Sequence, residues 1–113
     1  MVQTCTCSDE SREHLETLLD PDLFRALGDP NRATLIAHLG EDGGSSTVTE
    51  ASECCPVDLS VVSRHLRTLR TAGVVTAHKE GREVHYRVEH RALASRLREI
   101  ADALETCCPD DCC

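Results

Sequence analysis

Aromatic residues are nearly absent from this chain of 113 residues, which has one phenylalanine, one tyrosine and no tryptophan. A core without large rings must be built from leucine, valine, isoleucine and alanine. The length supports a single domain. Because so short a chain buries only a thin core, the composition favours pairing with a second copy.

Long apolar runs and an export signal are missing as well. No segment approaches the roughly 20 apolar residues that span a bilayer. The N-terminal sequence MVQTCTCSDESREHLE has neither the basic start nor the apolar stretch of a signal peptide. We therefore expect a soluble, cytoplasmic protein with no membrane partner.

Catalytic patterns are also lacking. The sequence contains no Gly-rich phosphate loop, and nothing places a nucleophile beside a base with a third, orienting group. The sequence therefore predicts that the protein is not an enzyme and uses no organic cofactor.

Charge is plentiful but unevenly distributed. The net charge is −8, which by itself disfavours a nucleic-acid partner. Residues 60–91, however, contain seven basic and three acidic residues, a net charge of +4, whereas the remainder has five basic and 17 acidic residues, a net charge of −12. A basic stretch in an acidic protein is typical of a defined DNA-binding face.

The hydrophobic spacing predicts a mainly helical chain. Short helices are expected over 11–19, after Asp20-Pro21, and from Pro30 to about residue 39, where Ala33, Ile36 and Ala37 combine with Leu35 and Leu39. A brief helix is expected over 48–54. There, Thr47 and Glu50 have capping-box spacing, and the turn at residues 55–59 follows.

The basic segment begins with a helix and ends with a hairpin. A helix is predicted from Ser60 to Ala72 with a left-handed Gly73 after it. Strands are predicted over 74–78 and 83–88, joined by a turn at 79–82. A last helix is predicted from His90 to about Thr106, where Leu93, Leu97, Ile100 and Leu104 form a narrow apolar stripe.

This order of elements predicts a winged helix-turn-helix, mainly α with a β-hairpin wing. Its second helix enters the DNA major groove, and the hairpin tip lies along the backbone or in the minor groove. Residues near the start of this helix are expected to contact bases, and residues further along it are expected to contact phosphates. Basic residues are expected at the tip of the hairpin. The predicted DNA contacts are Ser60, Ser63, Arg64 and His65 on bases, Arg67 and Arg70 on phosphates, and Lys79 and Arg82 at the hairpin tip.

Three segments resemble the ArsR/SmtB family of metalloregulators: FRALGDPNRATLIAHL, SVVSRHLRTLRTAGVV and KEGREVHYRV. Ser63-Arg64-His65-Leu66 and Gly81 with Tyr86 are among the most recognisable features, and the likeness runs from about Leu19 to Leu104. The resemblance implies a homodimer, joined through its first and last helices, that represses from an inverted-repeat operator, expected in its own promoter, until an inducer releases it.

The resemblance also implies where inducers bind in the family, and this chain departs from both patterns. Val48-Thr49-Glu50 occupies the place of the Cys-x-Cys that many members have at the third helix. The last helix offers Glu89 and His90 at its start but no later histidine to complete a carboxylate–histidine site. A zinc, nickel or cobalt site of that kind is not expected.

Cysteine is abundant, with eight residues arranged as one Cys-x-Cys and three Cys-Cys pairs. An even count in an exported protein predicts a disulfide framework, but without an export signal these thiols more often bind metal or perform redox chemistry. A ligand on Cys54 and Cys55 would pull on the turn before the DNA-reading helix. The predicted metal ligands are Cys54 and Cys55, then Cys107 and Cys108, then Cys5 and Cys7, with Cys112 and Cys113 left open.

Thiolates without adjacent histidines favour soft ions. We expect an inducer of this kind, arsenite or another trivalent arsenical first, mercury(II) second, then cadmium or lead. The alternatives are a thiol redox or persulfide sensor on the same fold, and a metal buffer whose likeness to a DNA-binding protein is incidental. The predicted organisation is a Cys-containing arm at 1–10, the winged domain at 11–106 and a Cys-rich tail at 107–113.

Overall fold

The computed structural model describes residues 9–41, 44–53 and 57–107. Within them are six helices and one hairpin, in the order α1 (Asp9–Leu18), α2 (Pro21–Leu27), α3 (Pro30–Glu41), α4 (Val48–Ser52), α5 (Leu59–Thr71), β1 (Val75–Glu80), β2 (Glu83–Val88) and α6 (His90–Cys107). They fall into two compact units, one containing α1 and most of α6, the other residues 21–90. The mainly helical fold with a hairpin matches the prediction.

The core of the 21–90 unit is aliphatic, as the scarcity of aromatic residues requires. The buried face of α5 consists of Val62, Leu66 and Leu69, which are fully buried. In α3 the buried residues are Leu35 and Leu39, whereas the alanines expected beside them, at 33 and 37, are exposed. Small side chains on this helix therefore face solvent, and the two leucines anchor it.

The start of α4 is fixed by the predicted capping box. The Glu50 backbone N–H donates to Thr47 Oγ1 at 3.2 Å, and the Thr47 backbone N–H donates to Glu50 Oε1 at 2.9 Å. These hydrogen bonds satisfy two donors that a helix start leaves free. They also hold the pKa of the Glu50 carboxyl below its usual value, mainly through the Thr47 backbone N–H.

The end of α5 is fixed by Gly73, which has the predicted left-handed backbone at φ 81°. The Gly73 N–H donates to the Arg70 carbonyl at 3.0 Å, and the Val74 N–H donates to the Leu69 carbonyl at 2.9 Å. This pair of bonds is a Schellman motif. It reverses the chain so that Val74, and Val75 at the start of β1, are both buried in the core.

The hairpin is longer and its turn tighter than predicted. Strand β1 continues to Glu80, so Lys79 lies within the strand opposite Val84, and not in the turn where the sequence placed it. Only Gly81 and Arg82 connect the strands. Gly81 has φ 62°, which suits the first central position of a two-residue hairpin turn, and this local geometry let the ladder extend.

Strand β2 also pairs on its other side. The Ser46 N–H donates to the Tyr86 carbonyl, and the Tyr86 N–H donates to the Ser46 carbonyl, both at 2.8 Å. No pattern in the sequence predicts this bridge. The bridge fixes the backbone one residue before the Thr47 cap and so connects the wing to α4.

In the other unit, α1 begins at Asp9, two residues earlier than predicted. Arg96 of α6 places its Nη2 3.4 Å from Oδ2 of Asp20. The predicted apolar stripe of α6 is only partly covered: Ile100 is buried, but Leu97 and Leu104 are 41% and 48% exposed. No helix in the described part of the chain is long and apolar enough to cross a membrane.

Candidate nucleic-acid interface

Helix α5 has a basic face opposite its buried leucines. Ser60, Arg64, Arg67 and Arg70 are all exposed. Residues three or four positions apart share one side of a helix, so these four form a single stripe, which we call the basic face. A helix of this kind fits the width of the DNA major groove.

The two remaining predicted α5 contacts are less accessible. Ser63 and His65 are half-buried, and His65 is also bonded within the protein: Nη1 of Arg32 lies 3.2 Å from its Nδ1. The structure therefore separates the predicted α5 contacts into an exposed set and a set close to the core.

Arg32 joins three helices. Its Nε donates to the Ala26 carbonyl and its Nη2 to the Arg25 carbonyl, each at 2.8 Å, and its Nη1 meets His65. The two carbonyls belong to the end of α2, Arg32 itself to α3, and His65 to α5. No sequence pattern predicts a role for Arg32, because its partner on α5 is 33 positions away and no local pattern marks such a contact.

Asp29 supports the same corner by capping α3. Its Oδ1 accepts the backbone N–H groups of Asn31 at 2.8 Å and Arg32 at 3.2 Å. The Arg32 backbone N–H is the main reason that the pKa of the Asp29 carboxyl lies below its usual value, with Asn31 and the Arg32 guanidinium adding to the effect. The carboxylate is thereby kept ionised beside Arg32.

A shallow groove of about 280 Å³ lies between α2 and α5. Arg25 and Asp22 face each other across 3.1 Å on its α2 side, and both are well exposed. Because the Arg25 charge is offset by Asp22, Arg67 supplies the net positive charge of the groove. The lining residues are Asp22, Arg25, Arg67, Thr68, Thr71 and Ala72.

The β1–β2 hairpin, or wing, carries two exposed cations, Lys79 in β1 and Arg82 in the turn. On the opposite strand face, the rings of His78 and His85 stack with their centroids 5.6 Å apart. Each histidine Nε2 lies 3.4 Å from a different oxygen of Glu80. This cluster orders the strand end next to the turn that carries Arg82.

Comparison with known proteins agrees with this geometry. A family model described as a helix-turn-helix domain matches residues 27–78. The chain is 40% identical over 73 residues to the HTH-type transcriptional repressor SmtB of Mycobacterium tuberculosis, covering 65% of this chain and 53% of that protein. It is 36% identical over 88 residues to the arsenical resistance operon repressor of Escherichia coli, covering 76% of this chain and 73% of that protein. The chain belongs to the ArsR/SmtB family.

A solved structure supports the same assignment. The crystal structure of a possible transcriptional regulator for arsenical resistance is 34% identical, with a TM-score of 0.63, and the match covers 76% of this chain and 86% of that one. The ArsR/SmtB relatives are transcriptional regulators and not enzymes, as the sequence predicted. The chain spans about half the length of the mycobacterial repressor.

The metal ligands predicted for this chain are all cysteines. Among residues 9–41, 44–53 and 57–107, no three histidine, cysteine or acidic side chains are grouped to hold a metal ion. Cys107 is the last residue of α6. The other predicted ligands, Cys5, Cys7, Cys54, Cys55 and Cys108, lie outside the described residues, as do Cys112 and Cys113.

Proposed function

We propose that this protein is a transcriptional repressor that binds operator DNA as a homodimer and is released when its cysteine thiolates bind a thiophilic metal or metalloid. Arsenite is the first candidate inducer and mercury(II) the second. The observation that carries the DNA-binding part is the basic face of α5, next in sequence to a wing with exposed Lys79 and Arg82, in an otherwise acidic chain.

DNA recognition divides between the two elements. The basic face supplies hydroxyl and guanidinium donors, which match acceptors on base edges and phosphates. The wing cations reach the backbone or the minor groove. Since Arg67 supplies the net positive charge of the α2–α5 groove, we assign it to a phosphate. Arg64 lies nearer the start of α5, and we assign it to a base.

Release is proposed to begin at the segment between α4 and α5. Helix α4 ends at Ser52 and α5 begins at Leu59, so Cys54 and Cys55 lie in the connection that sets the direction of α5. An ion that draws thiolates together there changes the path of the connection. Because the capping box holds the start of α4, the displacement is passed towards α5.

A second set of thiols flanks the unit formed by α1 and α6. Cys5 and Cys7 precede α1, Cys107 ends α6, and Cys108 follows it. Adjacent cysteines do not easily complete a site alone, so a three-thiolate site for arsenite needs ligands from more than one pair. The name of the E. coli relative, an arsenical resistance operon repressor, supports arsenite as the first candidate.

Fluorescence anisotropy of reduced protein on DNA from its own promoter tests the function. Arsenite, mercury(II), cadmium, lead, zinc and a persulfide donor are titrated separately under anaerobic conditions. Release by a soft ion supports the proposal and ranks the inducers. Release only by oxidant or persulfide replaces ion sensing with thiol redox chemistry, and failure to bind the DNA contradicts the repressor function itself.

Paired substitutions locate the inducer site. We expect Cys54→Ser/Cys55→Ser protein to bind the operator as tightly as the wild type but to resist release by arsenite. Cys107→Ser/Cys108→Ser is the matched variant for the second set. If the Cys54/Cys55 variant is released at wild-type inducer concentrations, the connection before α5 is not the sensing site.

Substitution of Arg64 tests the basic face. Arg64→Ala should weaken operator binding about tenfold or more, since a side chain bonded to a base edge contributes roughly 1–3 kcal/mol of discrimination. Arg98→Ala removes the same charge from an exposed position of α6 and serves as control. Equal loss in both variants would mean that only net charge matters, and unchanged circular dichroism is required of each.

A further inference from the structure

His65 lies on the helix assigned to DNA reading, yet one of its ring nitrogens is used within the protein. Arg32 Nη1 is 3.2 Å from His65 Nδ1. A guanidinium has only donors, so Nδ1 must be the acceptor of this bond. In a neutral imidazole with an accepting Nδ1, the proton resides on Nε2.

Arg32 is held firmly enough to impose this choice. Its Nε and Nη2 are bonded to the Ala26 and Arg25 carbonyls at 2.8 Å, and its side chain is only 14% exposed. With two donors fixed on the end of α2, the planar fork fixes the direction of the third. Asp29, 4.0 Å from Nη1, faces the same group.

The other ring nitrogen has no such use. In the described part of the chain, His65 Nε2 makes no hydrogen bond, and the residue as a whole is only half-buried. His65 follows Arg64 directly on α5, adjacent to the basic face. A donor with a fixed tautomer at this position suits an acceptor on DNA, either a phosphate oxygen or the N7 or O6 of a guanine.

We propose that Arg32 is a positioning residue for DNA recognition, which fixes His65 as the Nε2–H tautomer so that the ring offers a hydrogen-bond donor to the operator. Arg32 itself does not contact DNA in this scheme. The inference rests on the proposed function, since it names a further contact and its support at the same interface.

The tautomer is measured first, in the free protein. Long-range ¹⁵N–¹H NMR spectra of the histidine rings distinguish a protonated from an unprotonated nitrogen. We expect His65 to carry its proton on Nε2 in the wild type and to become a mixture of tautomers in Arg32→Lys. A wild-type spectrum with the proton on Nδ1 overturns the proposal whether or not the protein binds DNA.

Operator affinity is measured next, first for Arg32→Lys and then for two substitutions of His65. Arg32→Lys keeps the net charge but loses the fork, so a purely electrostatic role predicts no change, whereas a positioning role predicts a loss of about tenfold. His65→Gln retains a donor near the Nε2 position and should bind within a few-fold of the wild type. His65→Asn, whose donor lies near the Nδ1 position, should lose about tenfold.

A double-mutant cycle separates positioning from a general effect on the fold. If Arg32 acts through His65, Arg32→Lys should cost much less affinity in a His65→Asn background than alone. Additive losses of affinity overturn the proposal.

The affinities for operator DNA and for random DNA are then compared. A loss of affinity for both assigns the Nε2–H donor to a phosphate, and a loss for the operator alone assigns it to a base. Wild-type protein that binds no DNA overturns the proposed function, whatever the tautomer.

Discussion

Asp29 shows how one side chain can serve both the fold and the interface. Its carboxylate accepts two backbone N–H groups at the start of α3 and faces the guanidinium that meets His65. In the sequence, Pro30 marks only the expected start of a helix. The restart of the helix at Pro30 is local and could be predicted, whereas the link to α5 could not, because it depends on how the helices pack.

Acid should weaken the protein partly through Asp29. Its pKa is lowered in the folded state, chiefly by the Arg32 backbone N–H, so the carboxylate stabilises the fold above its unfolded pKa of about 3.8. That contribution is lost as the pH falls through the lower, folded value. We expect the Tm to drop as the pH is lowered through and below about 3.8, with a smaller drop in Asp29→Asn.

Asparagine is chosen because it also caps helices well, so the substitution removes the charge and keeps an accepting oxygen. Glu105→Gln, at an exposed position of α6, is the matched control and should follow the wild-type curve. Parallel Tm-against-pH curves for Asp29→Asn and the wild type would show that this carboxylate does not contribute to acid sensitivity.

Helices and turns were predictable where a few neighbouring residues decide them. The Thr47–Glu50 box and the left-handed Gly73 each need only one turn of chain, and both are confirmed. The Ser46 bridge depends on a partner strand, and the extension of β1 through Lys79 depends on the two-residue turn at Gly81; neither was predicted from the sequence. This difference moves one predicted DNA contact, Lys79, from the turn into a strand and leaves Arg82 in the turn.

The α5–β1 junction should be sensitive to substitution of Gly73. At φ 81°, an alanine is expected to cost about 1–2 kcal/mol, because its Cβ approaches the following carbonyl. The junction also sets the direction of the wing relative to α5 within the 21–90 unit. Gly73→Ala should therefore lower both the free energy of unfolding in urea and the operator affinity.

Ser95→Ala is the control for that substitution, since Ser95 lies at an exposed position within α6. It should leave the unfolding free energy unchanged or slightly raised, because alanine is the better helix former. If Gly73→Ala is as stable as Ser95→Ala, the Schellman motif at the end of α5 does not hold in solution.

For the whole molecule, the question is how an acidic chain approaches a polyanion. The +4 charge of residues 60–91 must outweigh repulsion from the rest of the chain, which carries −12. Exposed charges attract DNA through counterion release, so operator affinity should fall steeply with salt. Two copies of the basic face, one for each half of an inverted repeat, would double the favourable contacts.

Pairing of two copies is expected to use α6. Leu97 and Leu104 are seven positions apart, and so on the same side of the helix, and they are 41% and 48% exposed in the single chain. A partner helix would cover them. Leu97→Glu/Leu104→Glu should therefore give a monomer in analytical ultracentrifugation and lower operator affinity about a hundredfold, because the second half-site is no longer linked to the first.

Ser95→Glu is the control. It adds a charge at an exposed position on the other side of α6 and should remain a dimer. A monomeric double variant that still binds the full operator as tightly as the wild type would show that one basic face and one wing are sufficient, and that the exposed leucines serve another partner.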